Sequence, residues 1–113
     1  MRILLVEPDT SLALTYARAL THYGYQVSVA SGAQSAISLA DKHRPDLIIL
    51  ELQLPAHNGI EFLYELRSYP EWQTLPVIIN SLVPSSEFTA NPDLWQSMGI
   101  AAYLYKPQTS LAT

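Results

Sequence analysis

Apolar and polar positions along this chain fall into blocks, and the period changes from block to block. "RILLV" (2–6) is a short run of branched apolar residues and predicts a buried strand. In "DTSLALTYARALTHYG" the positions Leu12, Tyr16, Ala19, Leu20 and Tyr23 recur at helical spacing, with Asp9 or Thr10 as cap and Gly24 as stop. "YQVSVA" (25–30) alternates with period two and predicts a second strand. Ser31 caps a second predicted helix through Ala33, Ala36, Ile37 and Ala40, ended by "RP".

"DLIILEL" (46–52) is the most continuously apolar strand. The loop "QLPAHNG" leads to a third helix, "IEFLYELRSY", with Ile60, Leu63, Tyr64 and Leu66 as its expected inward face. "LPVIINS" (75–81) reads as a fourth strand. "LVPSSEFTANPDLWQSMG" is rich in Pro and Ser and predicts a long loop before one short helix around 91–98. "IAAYLY" (100–105) is a fifth strand.

Strands that alternate with helices imply right-handed crossovers and a parallel sheet covered on both faces. In such α/β folds ligands gather at the carboxyl ends of the strands, near the point where strand order reverses. That edge collects Glu7 and Asp9 after the first strand and Glu51 after the third. Asn80 and Ser81 end the fourth, and Lys106 follows the fifth. Carboxylates suit a hard cation such as Mg²⁺, while an ammonium and a hydroxyl suit phosphoryl oxygens.

Composition narrows the field. With 113 residues the chain is long enough for one core, and 49% hydrophobic against 14% charged residues describes a globular interior rather than disorder. A formal charge of −4 argues against direct binding of nucleic acid. The absence of cysteine excludes disulfides and thiolate zinc sites. No apolar run reaches the roughly 20 residues that span a bilayer, and "MRILLVEP" is too short and too quickly acidic for a signal peptide. No membrane association and a cytoplasmic location are therefore expected.

At this point the chain resembles a known family, the receiver domain of two-component response regulators. "ILLVEPD" resembles its acidic-pair strand. "PDLIILELQLPAHNGIEFL" resembles the phosphoacceptor strand, with Pro55 and Gly59 in the following loop. "PVIINS" resembles the fourth strand and ends in the switch hydroxyl position, Ser81. "AAYLYKP" resembles the fifth, with the switch aromatic at Tyr103 and the phosphate-contacting lysine at Lys106. The resemblance implies a flavodoxin-like, doubly wound, five-stranded parallel sheet of order 2-1-3-4-5. It also implies residues 1–113 as a single receiver-like domain, with the N-terminal piece of a longer regulator as the open alternative.

Two departures from the family bear on function. Glu51 stands where receivers carry the phosphoacceptor aspartate. Its extra methylene shifts the nucleophilic oxygen, and a misplacement of ~1 Å costs on the order of 100-fold in rate. A carboxylate also carries about one negative charge, against roughly −1.5 to −2 for a phosphate. Second, the acidic pair reads Glu7–Pro8, so its second member has no ligand atom, and Asp9 lies one residue too far along. Magnesium demands near-octahedral oxygen ligation, so no metal is expected, with Glu7 and Glu51 as weak candidates; the resemblance implies the backbone carbonyl of Gln53 as the family's further ion contact.

These departures imply a degenerate receiver, not an enzyme, that acts by protein–protein interaction without phosphorylation. Its expected partner is a histidine kinase, an output domain or another receiver. Lys106 is expected to pair directly with Glu51. An active receiver using an unusual acceptor with Mg²⁺ is one alternative. A small-molecule sensor, with a pocket at Asn80, Ser81 and the 82–91 loop, is the other. Blander readings stay open: Glu51 as a loop-entry cap for a backbone amide, Glu7 as a turn residue, Asp9 as a helix cap, and His22, His43 and His57 as surface residues. After Lys106 only "PQTSLAT" remains, so a fifth helix is expected to be missing or truncated. The sheet face it would cover is a candidate homodimer surface.

Overall fold

In the computed structural model, residues 1–55, 58–82 and 99–106 are described. They form β1 (Arg2–Val6), α1 (Thr10–His22), β2 (Gln26–Ala30), α2 (Ala33–His43), β3 (Leu47–Leu50), α3 (Gly59–Ser68), a 3₁₀ turn (Pro70–Trp72), β4 (Val77–Ser81) and β5 (Ile100–Tyr105). The strands make one parallel sheet in the order β2-β1-β3-β4-β5. The expected helix near 91–98, the 82–91 loop beyond Leu82, His57 and the tail after Lys106 lie outside the described residues.

Side-chain alternation divides the sheet into two faces. Leu4, Val6, Ile48, Leu50, Val77 and Ile79 lie in register on one face and are all at least nearly inaccessible. They pack with Ala33, Ala36 and Ala40 of α2 and with Phe62, Leu63 and Leu66 of α3. Three alanines on α2 let that helix sit close to the sheet. Ile3 and Leu5 point to the other face, where α1 packs over β1 and β2.

The helix caps are local and readable. Asp9 caps α1 by accepting from the Leu12 amide at 3.1 Å, and Asn58 caps α3 by accepting from the Glu61 amide at 2.8 Å. At α2 the expected cap moves by one residue: Gly32, not Ser31, is the N-cap, and the Ser35 hydroxyl accepts from the Gly32 amide at 3.3 Å. Arg44 closes α2 in the left-handed region, at φ 42°.

Two expectations about faces are corrected. Tyr23 is 72% exposed and belongs to the end of α1 rather than its inner face, where Ala13 is the buried residue. On α3, Phe62 is buried and Tyr64 is 56% exposed. Gly59, Phe62, Leu63 and Leu66 span an arc of about 100° on the helix and Tyr64 falls outside it. β5 carries an irregularity that the sequence reading did not include. Val77 faces Ile100, but Ile78 faces Ala102, so Ala101 has no counterpart on β4. This bulge reverses the alternation and puts Tyr103 beside Ile79 on the core face.

Gly59 shows how tightly the loop after β3 is held. Its amide donates to the Leu52 carbonyl at 2.7 Å, and a Cβ added there would lie 2.7 Å from Leu52 Cα. Only glycine lets the start of α3 approach the backbone next to Glu51 this closely.

Candidate functional site

The parallel ladder carries the candidate residues to one edge. Val6 and Leu50 are register partners, and the next residues continue the ladder: the Glu7 amide donates to Ala30 O at 2.9 Å and the Glu51 amide to Val6 O at 3.0 Å. Glu7 and Glu51 are therefore neighbours just beyond the paired strands. Ser81 ends β4 opposite Tyr105, and Lys106 follows immediately.

Their side chains form one buried cluster. Lys106 Nζ lies 2.5 Å from Glu7 Oε1 and 2.8 Å from Glu51 Oε1, and all three side chains are at most 7% exposed. The Ser81 hydroxyl donates to Glu51 Oε2 in a short hydrogen bond. The Gln53 amide donates to the same oxygen at 3.2 Å, and the Leu82 amide donates to Oε1 at 3.2 Å. Each Glu51 oxygen thus has two donors, which meets the roughly four lone-pair sites of a carboxylate. Glu7 Oε2 accepts from the Asp9 amide at 3.1 Å.

Protonation follows from these partners. Burial pushes the Glu51 carboxyl up, but Lys106, the Ser81 hydroxyl and the amides of Gln53 and Leu82 outweigh it and hold the group below the usual carboxylate range. Burial likewise pushes the Lys106 ammonium down, and the facing carboxylates of Glu51 and Glu7 outweigh it and raise it. Glu51 is therefore held as the carboxylate and Lys106 as the ammonium.

The structure brings Glu7, Glu51, Ser81 and Lys106 together. It does not bring the Asp9 carboxylate to them. That side chain is spent on capping α1 and is exposed, and only its backbone amide reaches the cluster, through Glu7. Asn80 is also displaced, because strand alternation sets it beside Leu104 on the face opposite the core. Gln53 enters through its backbone amide. Tyr103 packs against the core beside Ile79. His22 and His43 are exposed. The amide donors of Gln53 and Leu82 had no signal in the sequence, since any residue supplies an amide. A groove of about 400 Å³, which includes Asp41, Arg44 and Trp72 in its lining, opens at the opposite edge of the sheet.

The fold and this edge define a signalling receiver, and comparison with known proteins agrees. The sequence profile of the response regulator receiver domain matches residues 3–111. The chain belongs to that family. It is 28% identical over 107 residues to the transcriptional regulatory protein PdtaR of Mycobacterium tuberculosis, covering 94% of this chain and 49% of that protein. It is 32% identical over 108 residues to the response regulator MprA of Mycobacterium leprae, covering 95% and 45%. Among solved structures it resembles the chemotaxis response regulator CheY4 of Vibrio cholerae, with TM-score 0.83, 25% identity, and coverage of 96% of this chain and 88% of that one. A sensor protein from Polaromonas sp. JS666 shares the fold, with TM-score 0.88, 21% identity and coverage of 98% and 86%. The chain spans about half the length of PdtaR and MprA.

Receivers are signalling domains that work with histidine kinases and output domains, and active ones bind Mg²⁺. The donor set here does not suit that ion. Pro8 offers no side-chain ligand, the Asp9 carboxylate is a cap, both Glu51 oxygens are saturated, and an ammonium already joins Glu7 to Glu51. Among the described residues no three His, Cys, Asp or Glu side chains gather as a metal-binding group. Among them, too, no helix is long and apolar enough to cross a membrane.

Proposed function

We propose that this receiver is set by Glu51 itself rather than by a phosphoryl group, and that it signals by contact with another protein. Glu51 occupies the acceptor position, Ser81 and Tyr103 the switch positions, and Lys106 the phosphate-contact position. In ordinary receivers the switch hydroxyl moves towards the phosphoryl oxygen and the aromatic ring turns inward. Here the hydroxyl donates to the glutamate carboxylate and the ring packs on the core.

The observation that carries this reading is the saturated Glu51 carboxylate. A nucleophilic oxygen needs a free lone pair directed at the incoming phosphorus, and both oxygens already hold two donors. The side chain gives its charge to an internal network instead. The partner is a histidine kinase, an output domain or another receiver. PdtaR is a transcriptional regulatory protein, and a transcriptional output is the reading we carry to this chain.

Incubation with acetyl phosphate and Mg²⁺, followed by intact mass measurement, tests the proposal. The expected result is no adduct, and no change in amide spectra with beryllofluoride. A phosphoryl adduct mapped to Glu51 would establish an active receiver with an unusual acceptor.

A further inference from the structure

We infer that the outer edge of β2 pairs with the same edge of a second copy of this chain, antiparallel and centred on Ser28, so that two five-stranded sheets join into one. The inference does not rest on the reading of Glu51, and it uses the margin of the sheet farthest from β5.

Among the described residues β2 has a neighbouring strand on one side only, since it ends the strand order. The Gln26 amide donates to Met1 O at 3.1 Å, and Ala30 O accepts from the Glu7 amide at 2.9 Å. Gln26, Ser28 and Ala30 therefore turn their amide and carbonyl groups to β1. Val27 and Val29, the residues between, turn theirs to the open side. Strand edges are usually blunted by a charge, a proline or a covering element. "QVSVA" has neither charge nor proline. Nor do the flanking helices seal it: of its five residues only Ala30 is buried, and Val29 is 43% exposed.

The strand's own sequence selects a second copy as the occupant. A two-fold contact requires that where residue i meets j, j also meets i. Around Ser28 the strand reads the same in both directions, as Val-Ser-Val. Antiparallel pairing about that residue sets Val27 of each copy against Val29 of the other. These are the residues with outward backbone groups, so each pair exchanges both of its N–H···O bonds, and valine meets valine as a favourable β-branched pair. Ser28 meets Ser28 at the axis, where hydroxyls bond across strands. A slip of one residue would oppose outward groups to inward ones. A slip of two would set a valine against a residue outside β2.

A contact one strand long belongs at the weak end of specific interfaces. In sedimentation equilibrium the mass of the full chain should rise above the monomer's as concentration nears about 1 mM. Val29→Lys charges the edge without touching the β1 ladder and should keep the mass monomeric. Ser28 supplies a second readout. Facing residues of a non-hydrogen-bonded pair lie about 4.5 Å apart at Cα, within disulfide reach, and the chain has no cysteine of its own. Under mild oxidation Ser28→Cys should form a covalent dimer at least about tenfold faster than Ser38→Cys, a control on the exposed side of α2. A monomeric wild type at about 1 mM overturns the inference. So does a dimer that survives Val29→Lys, or a Ser28→Cys chain that links no faster than the control. Val27 and Val29 amides protected from exchange in a chain that stays monomeric would mean that the edge is covered from within, which overturns it too. If Val29→Lys does not fold, the wild-type mass and the Ser28→Cys rate decide.

Discussion

Lys106 and Glu7 stand 99 residues apart in the chain, and their charged groups meet at 2.5 Å. Glu7 follows the first strand and Lys106 the fifth, so this contact exists only when β1, β3, β4 and β5 lie side by side. The site is a property of the complete strand order rather than of any one hairpin or helix.

Truncating Lys106 should therefore be costly. Lys106→Met leaves Glu7 and Glu51 buried without a counter-charge, and breaking a buried pair by removing one partner costs about 3–5 kcal/mol. Urea unfolding should show a lower midpoint with little change in slope. A loss under ~1 kcal/mol would mean that the cluster is wetter than its geometry implies.

The acid limb of stability should depend on Glu51. Its folded pKa is lowered, so its contribution is present above the unfolded carboxylate value of about 4.3 and is lost as pH falls through the lower folded value. Glu51→Gln should thus be less stable than wild type near neutrality, with the gap shrinking in acid. For Lys106 the sign reverses. Its folded pKa is raised, so its contribution is complete below about 10.4 and disappears as pH rises through the folded value. Denaturant midpoints across pH for wild type and Glu51→Gln check both signs.

Ser81→Ala removes a donor from a buried carboxylate and should cost about 1–3 kcal/mol, while Ser81→Thr keeps the hydroxyl and should cost less. The amide signals of Gln53 and Leu82, which share Glu51 with Ser81, should shift in the alanine variant.

Gly59→Ala should destabilise by about 1–3 kcal/mol, because its methyl group would meet Leu52 backbone at 2.7 Å and the neighbouring loop must give way. Perturbed amide signals at Leu52 and Gln53 would place the damage beside Glu51. A neutral substitution would show that the loop after β3 yields easily.

The fold was legible where period and burial coincide. β1 and β5 begin and end where their apolar runs do, and the sheet order follows from the family resemblance. The faces of α1 and α3 were less so. A tyrosine is apolar enough to join a helical stripe yet polar enough to stay at the surface, and Tyr23 and Tyr64 are both exposed. The bulge at Ala101 leaves no mark in "IAAYLY", since it depends on how β5 meets β4.

At the site, the charged residues declared themselves because a carboxylate at the end of an apolar strand needs a partner. Placement at a strand end did not rank Asn80 and Ser81, and it was the family resemblance that singled out Ser81. Strand phase separates them, sending Ser81 to the carboxylates and Asn80 to the other face. The Asp9 carboxylate was drawn to the nearer amide of Leu12, a local contact that wins over a longer reach.

The unmatched residue in β5 makes the placement of Tyr103 a matter of counting. Straighten the strand with every residue kept and its phase inverts: the ring swings outward and Leu104 turns in. Deleting the unmatched Ala101 is thus a mild lesion, since Ala102 then follows Ile100 in regular alternation and Tyr103 stays opposite Ile79.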